Sequence, residues 1–511
     1  MTFQESPAGL RLPLSRRFRP APIWLAAALL FGTATAWAQR TGMTVTPSVS
    51  GSVEFTDNRD LSATNPQSDM ITTLSPRVRW FSQTGRVRGS VDYALNLEMY
   101  ARDSSDNNFQ NDLSANVAAE LIERHFFIDA SASISQQSVS AFGLQGDRPA
   151  AINSNTTEYA ELTVSPSLRG RLFGSVDAEA RLTSQFGRSL DGSVGDTVNH
   201  EASVSLGGGS GAVGWSLVAS RTYNSYEDGR DTLEDRIRPE VSYTVHPGLR
   251  FFVSGGYERN DILTIEPTSY KNWGGGFDWQ PSPRTRFMAQ TEQRYFGPSY
   301  SVSLSHRMRR WVLSYTDVYD DSETTTGAGT PQSTYDIFFA QFASIEPDPA
   351  LRDVLVRNFL RSAGLDVNEQ QSAGFISSAV TVTRNQNLSL AWQGRRNNAV
   401  LSAFSTASRR VDEISDAQDD LSQVGRVEQQ GVSLSLSHRL TPTASVVLYG
   451  SLQRTPGSET VEGNDLNEIS LSWSERIGSR ATVAVTGRRA QAVGANPYTE
   501  SSLAATFNVS F

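Results

Sequence analysis

From about residue 44 onward, apolar and polar residues alternate with a period of two, strip after strip. Val87, Gly89, Val91, Tyr93, Leu95, Leu97 and Met99 interleave with Arg88, Ser90, Asp92, Ala94, Asn96, Glu98 and Tyr100. Leu172, Gly174, Val176, Ala178, Ala180 and Leu182 interleave with Arg171, Phe173, Ser175, Asp177, Glu179 and Arg181. Similar strips cover residues 126–134, 198–206, 249–257, 273–279, 300–304 and 481–487. A period of two places the apolar side chains of a strand on one face. The strips run about ten residues, twice a common soluble strand and the length a tilted strand needs to cross a bilayer.

The connections alternate as well. Short ones include Thr84-Gly85, Arg169-Gly170, His246-Pro247-Gly248, Thr441-Pro442-Thr443 and Ile477-Gly478. Long ones, rich in Asp, Asn, Ser and Gly, are residues 57–68, 102–111, 138–155, 186–196, 224–235 and 409–426. Short turns on one side and long loops on the other mark an outer-membrane barrel. The expected fold is therefore all-β, a transmembrane outer-membrane antiparallel β-barrel. Counting strips gives fifteen strands up to Tyr319 and eight from about residue 373. Termini that share the periplasmic side require an even number. A further strand is therefore expected at Thr334–Ser344, where Tyr335, Ile337 and Phe339 alternate with Asp336. The expectation is about 24 strands, within a range of 22–26.

That parity puts residues 345–372 on the periplasmic side as one short helical insert. Asp348 is its N-cap, Pro349 its first residue, and Gly364 its stop. Leu351, Val354, Leu355 and Phe359 form one apolar stripe. Such a helix would gate the pore from below, dock a periplasmic export component, or pack on the barrel rim.

Both ends of the chain fit export. Arg11, Arg16, Arg17 and Arg19 precede a short apolar run, Ile23 to Gly32, and Ala36-Trp37-Ala38 follows. Residues 1–38 read as a signal peptide cleaved near Ala38, leaving 39–511 as the barrel. At the other end Phe507, Val509 and Phe511 share a face, and a terminal aromatic of this kind resembles the signal read by the barrel-assembly machinery.

Composition now makes sense. A chain of 511 residues would ordinarily hold several domains, yet only 38% is apolar. A barrel needs only every second strand residue to be apolar, because lipid supplies the other side of its packing. There is no Cys, which removes disulfides, thiol nucleophiles and Cys-based metal sites. The net charge of -9 excludes a nucleic-acid binder that works by general electrostatics. The expected partners are outer-membrane lipid, lipopolysaccharide and the assembly machinery of a Gram-negative cell.

The polar face carries charges of both signs. Arg77, Arg79, Arg88, Asp92, Glu98, Asp177, Glu179, Arg286, Glu292 and Arg294 are the pore-lining candidates. The five His (His125, His200, His246, His306 and His438) are scattered without metal-ligand spacing. No catalytic residue, metal or cofactor is expected. Trp80, Trp215, Trp279, Trp311, Trp392 and Trp473 sit in strand strips, often towards an end, as interfacial girdles require. Tyr100 and Phe173 are candidates for inward-facing rings that stack sugars.

Several short motifs then carry a resemblance: Thr46-Pro47, Glu54-Phe55-Thr56-Asp57-Asn58, Leu74-Ser75-Pro76 and Val91-Asp92-Tyr93. Phe127-Ile128-Asp129-Ala130, Ser135-Gln136-Gln137, Glu346-Pro347-Asp348-Pro349-Ala350 and Phe359-Leu360 continue it. Together they resemble the PEP-CTERM system-associated outer-membrane proteins, found beside exopolysaccharide and exosortase genes. The resemblance implies a role in exporting or anchoring exopolysaccharide, and it transfers no active site. Three functions follow as expectations: a wide export conduit gated by loops or a partner, a non-conducting anchor for polysaccharide or PEP-CTERM proteins, or a general porin.

Overall fold

A computed structural model describes residues 42–146, 151–322, 335, 338, 339, 352, 356, 357, 374–412, 414 and 419–511. The signal segment 1–38 lies outside the described residues. Fifteen strands precede the long central connection: β1 (Met43–Thr56), β2 (Asp69–Gln83), β3 (Val87–Tyr100), β4 (Asn108–Ile122), β5 (Phe126–Ser138), β6 (Thr156–Leu172), β7 (Val176–Ser189), β8 (Thr197–Ser210), β9 (Val213–Tyr226), β10 (Thr232–His246), β11 (Leu249–Asn260), β12 (Thr268–Ser282), β13 (Thr285–Arg294), β14 (Gly297–Arg307) and β15 (Trp311–Ser322). Seven follow it: β16 (Thr381–Gln393), β17 (Asn397–Arg410), β18 (Arg426–Arg439), β19 (Ala444–Thr455), β20 (Asn464–Ile477), β21 (Ala481–Gly494) and β22 (Tyr498–Ser510).

Every strand pairs antiparallel with its neighbours in sequence, and β1 pairs with β22 from Ser48↔Ser510 to Thr56↔Ser502. The sheet is therefore a closed 22-stranded barrel with no free edge. Both ends of the described chain lie at one end of it, here the near end. The Phe511 N–H donates to the Pro47 carbonyl there at 2.9 Å.

The count of about 24 strands is corrected to 22. The first fifteen stand as read, but β15 pairs directly with β16, with Ser322 opposite Thr381. A strand at Thr334–Ser344 has no place in that ladder, and Tyr335, Phe338 and Phe339 have helical backbone. Residues 374–380 are likewise not a strand. Their apolar side chains Phe375, Ile376 and Val380 are buried among loops. The connection 323–380 therefore leaves and re-enters the sheet at the far end, with the long loops. The parity that put 345–372 on the periplasmic side rested on the extra strand and falls with it.

Cross-strand partners share a face, so the register carries inside and outside around the barrel. Outside are Val49, Val53 and Phe55 of β1, Leu74 of β2, Leu434 and Leu436 of β18 and Leu503 and Phe507 of β22, all exposed. Val509 and Phe511 continue that outer face to the near rim. Trp80, Trp215, Trp279, Trp311, Trp392 and Trp473 all fall on the outer face near the near-end turns. Trp311 and Trp392 are direct cross-strand partners, with ring centroids 6.1 Å apart. A second set, Phe55, Phe109, Tyr257 and Trp273, is exposed towards the far end. Two aromatic bands with an aliphatic band between them are what a bilayer selects on a barrel wall.

The turn between β6 and β7 is Phe173-Gly174-Ser175 and not Arg169-Gly170. Phe173 and Gly174 both have positive φ, 51° and 76°, which matches the twist of a tight hairpin. Phe173 consequently projects into solvent at the near end, 96% exposed, and does not face the lumen.

Candidate pore and its lumenal insert

All ten pore-lining candidates lie on the inward face, mostly in ion pairs that tie neighbouring strands. Arg79 reaches Asp92 at 2.7 Å, while Arg77 lies 3.6 Å from Asp92 and 3.4 Å from Asp112. Asp177 pairs with Arg171 at 3.0 Å, and Glu179 with Arg181 at 2.8 Å and Arg169 at 3.3 Å. Glu292 binds Arg236 and Arg238, and Arg286 binds Asp278. Glu98 is buried and accepts from the Gln110 amide at 3.1 Å and the Tyr100 hydroxyl at 3.4 Å. Tyr100 is thus inward but buried against Ile71, with no face left open for a sugar. Arg88 faces inward near the near-end turn.

Arg294 is the most enclosed of the candidate arginines. Its guanidinium meets Glu234 at 3.0 Å, Glu258 at 2.8 Å, Asp320 at 3.0 Å and also Asp321. Arg294, Glu234, Glu258 and Asp321 are all buried, at the far end of a hairpin turned by Tyr295 and Phe296 alone.

The lumen is not empty. Phe338 and Val356, from the β15–β16 connection, are 1% and 0% exposed and pack against Val400 of β17 and Val447 of β19. Val400 and Val447 are inward neighbours of the outward Leu401 and Leu448. Tyr335, Phe339 and Ala391 complete that seat. On the other side Arg357 comes within 3.6 Å of Asp92 on β3. A segment that touches β3, β17 and β19 spans the bore. Within it the Arg352 guanidinium lies over the Phe339 ring at 4.7 Å and that of Arg357 over Tyr335 at 4.6 Å. The two pairs run in antiparallel order, Arg352 beside Phe339 and Arg357 beside Tyr335. Leu351, Val354, Leu355 and Phe359, the expected gate stripe, lie outside the described residues.

The far mouth is roofed by loops from several sides. The β5–β6 loop crosses to the helix α1 (Asp420–Val424), where the Asp420 carboxylate accepts from the Ser140 hydroxyl at 2.8 Å and the Ala141 N–H at 2.6 Å. Asp419 accepts from Ser377 at 2.8 Å, which ties in the segment entering β16. Asn464, Asn496 and Tyr498 donate to the carbonyls of Gly143, Phe142 and Gln145. Arg230, in the β9–β10 loop, lies 3.3 Å from Asp412 in the β17–β18 loop. Three small apolar clusters sit beneath, around Phe142, Phe375 and Leu421, around Ile262, Tyr295 and Val380, and around Leu61, Leu466 and Tyr498. Burial pushes the Asp420 carboxyl above the usual carboxylate range, with the Asp419 charge adding to it.

The sequence had no simple signal for this roof, because its contacts join loops hundreds of residues apart. One signal for the insert was present: Tyr335, Phe338 and Phe339 follow the i, i+3, i+4 spacing of a helix face.

No family model and no curated protein matches the chain. Among solved structures, the chain is similar to the FrpB iron transporter of Neisseria meningitidis, F5-1 variant, apoprotein form. That likeness has 10% identity over 91% of this chain and 81% of the other, with a TM-score of 0.48. It is similar to the siderophore receptor PirA of Pseudomonas aeruginosa, at 9% identity over 91% and 80%, with a TM-score of 0.42. It is also similar to OpdO of Pseudomonas aeruginosa, at 9% identity over 92% and 97%, with a TM-score of 0.30.

Proposed function

We propose that the chain is an outer-membrane barrel of a Gram-negative bacterium that forms a wide pore, held closed by its own β15–β16 insert and far-mouth loops. The outward aliphatic band between two aromatic bands supports the membrane placement. A barrel of 22 strands is wide enough to need a filler if it is not to leak. The observation that carries the closed state is the insert spanning the bore, with Phe338 and Val356 on one wall and Arg357 on Asp92 of another.

The cargo we propose is exopolysaccharide, from the resemblance of Val91-Asp92-Tyr93, Glu346-Pro347-Asp348-Pro349-Ala350 and the other motifs to PEP-CTERM-associated barrels. A wall lined by Arg, Asp and Glu in pairs supports a hydrated polar cargo, since such walls offer hydrogen bonds without a large net field. Deletion of the gene tests this. Polymer accumulating in the periplasm supports a conduit, and normal polymer export with lost small-solute flux means a general porin.

The extent of the roof favours one second reading, a barrel that stays shut and anchors polymer or PEP-CTERM proteins through its loops. The same deletion would then shed polymer into the medium.

A further inference from the structure

The outer wall is asymmetric in charge. Every outward-facing Lys or Arg within a strand lies in the far half of that strand. On β1, β2 and β3 the outer face carries the exposed Phe55, Met70 and Met99 close to the far rim and no Lys or Arg. One close row of these charges lies on β9 to β12. Arg221 stands opposite Asp235, and Asp235 opposite Arg259. Lys271 stands opposite Tyr257, one step along the same face from Arg259. Neighbouring strands lie about 4.8 Å apart, so the row is about 14 Å wide.

Three cations and one carboxylate leave the row with two net positive charges. Asp235 is already held by Arg221, with Nη2 2.8 Å from Oδ2. Arg221, Arg259 and Lys271 are exposed on the barrel's outside. Just below them towards the middle of the barrel stand Tyr257 and Trp273, 59% and 66% exposed. A cationic row above an aromatic step matches an amphiphile whose phosphates meet the row while its chains lie on the apolar wall.

We propose that Arg221, Arg259 and Lys271 form a binding site for a phosphorylated glycolipid of the outer leaflet. This inference rests on the membrane-spanning reading of the barrel. The Arg259 guanidinium fork binds phosphate oxygens, the Nη1 of Arg221 left over from its fork on Asp235 adds a donor, and the Lys271 ammonium supplies a point charge beside them. Asp235 orients Arg221.

Lys271 is the sole lysine of the chain, so its amine reports on the site alone. The experiment labels the detergent-solubilised full barrel with an amine-reactive reagent and follows the Lys271 peptide by mass spectrometry. The probes are diphosphorylated lipid A, phosphatidylethanolamine and inorganic phosphate. Lipid A is expected to slow Lys271 labelling several-fold, the other two to leave it unchanged, and the double variant R221Q/R259Q to abolish the protection. Labelling that lipid A does not slow, in a barrel still folded by circular dichroism, overturns the site. Equal protection by phosphatidylethanolamine or inorganic phosphate also overturns it. Because labelling is read in micelles, these outcomes leave the membrane-spanning reading standing, and bilayer insertion tests that reading separately.

Discussion

Asp92 on β3 receives Arg357 from the lumenal insert at 3.6 Å while Arg79 of the adjacent strand holds the same carboxylate at 2.7 Å. One wall carboxylate thus joins the barrel to the segment that fills it. The pair is largely sheltered, with side chains 12% and 9% exposed.

Arg357→Gln removes the polar tie without disturbing the β2–β3 pairing. The tie is worth about 1 kcal/mol, a fivefold change in the ratio of open to closed pore. Single-channel recording should show more frequent openings. Asp92→Asn should open the pore further, because it also releases Arg79 and leaves Arg77 on Asp112 alone.

Leu388 and Asn387 are neighbours on β16 that face opposite ways, Leu388 outward and Asn387 inward. Leu388→Arg should cost about 2–4 kcal/mol of barrel stability if the band meets lipid. Asn387→Arg should cost far less. Urea unfolding of both variants in lipid vesicles makes the comparison, and equal losses would count against a lipid-facing outer wall.

Arg294 neutralises a buried knot of Glu234, Glu258 and Asp321, with Asp320 at its edge. Arg294→Met should cost about 3–5 kcal/mol, because carboxylates are left buried with no cation. Heat-modifiable gel mobility reads the loss.

The Asp420 latch should depend on pH in a defined direction. Its carboxyl is raised when the roof is closed. The closed roof therefore binds the proton more tightly than the open one, and closure is favoured below the ordinary carboxylate pKa. That preference is lost as pH rises through the raised value. Hydrogen exchange at the Ala141 amide should quicken from pH 4 to pH 7 beyond its intrinsic rate. Asp420→Asn, neutral throughout, should flatten the profile.

The wall of this barrel was legible because period two leaves no choice of face: Arg79 and Asp92 share a side once Trp80 and Val91 are assigned to lipid. The first fifteen strands could be counted for that reason. The count failed where apolar residues serve packing other than lipid contact. Tyr335 and Phe339 alternate around Asp336 as a strand would, yet their partners are Phe338 and Arg352 inside the bore. Phe375 and Val380 imitate a strand but fill the roof. Binary pattern records burial and does not say against what. Contacts such as Tyr498 to Gln145 or Arg230 to Asp412 depend on closure of the whole barrel, so no local pattern encodes them.

Conductance of the purified barrel in planar bilayers, before and after the bore is emptied, decides whether the insert is what closes it. Ser322 lies opposite Thr381, so a short turn can replace residues 323–380 without breaking the β15–β16 ladder. The intact chain should insert and pass little current, and the shortened chain should show a large, steady conductance. A shortened chain that folds, inserts and remains silent would contradict the insert as what closes the bore.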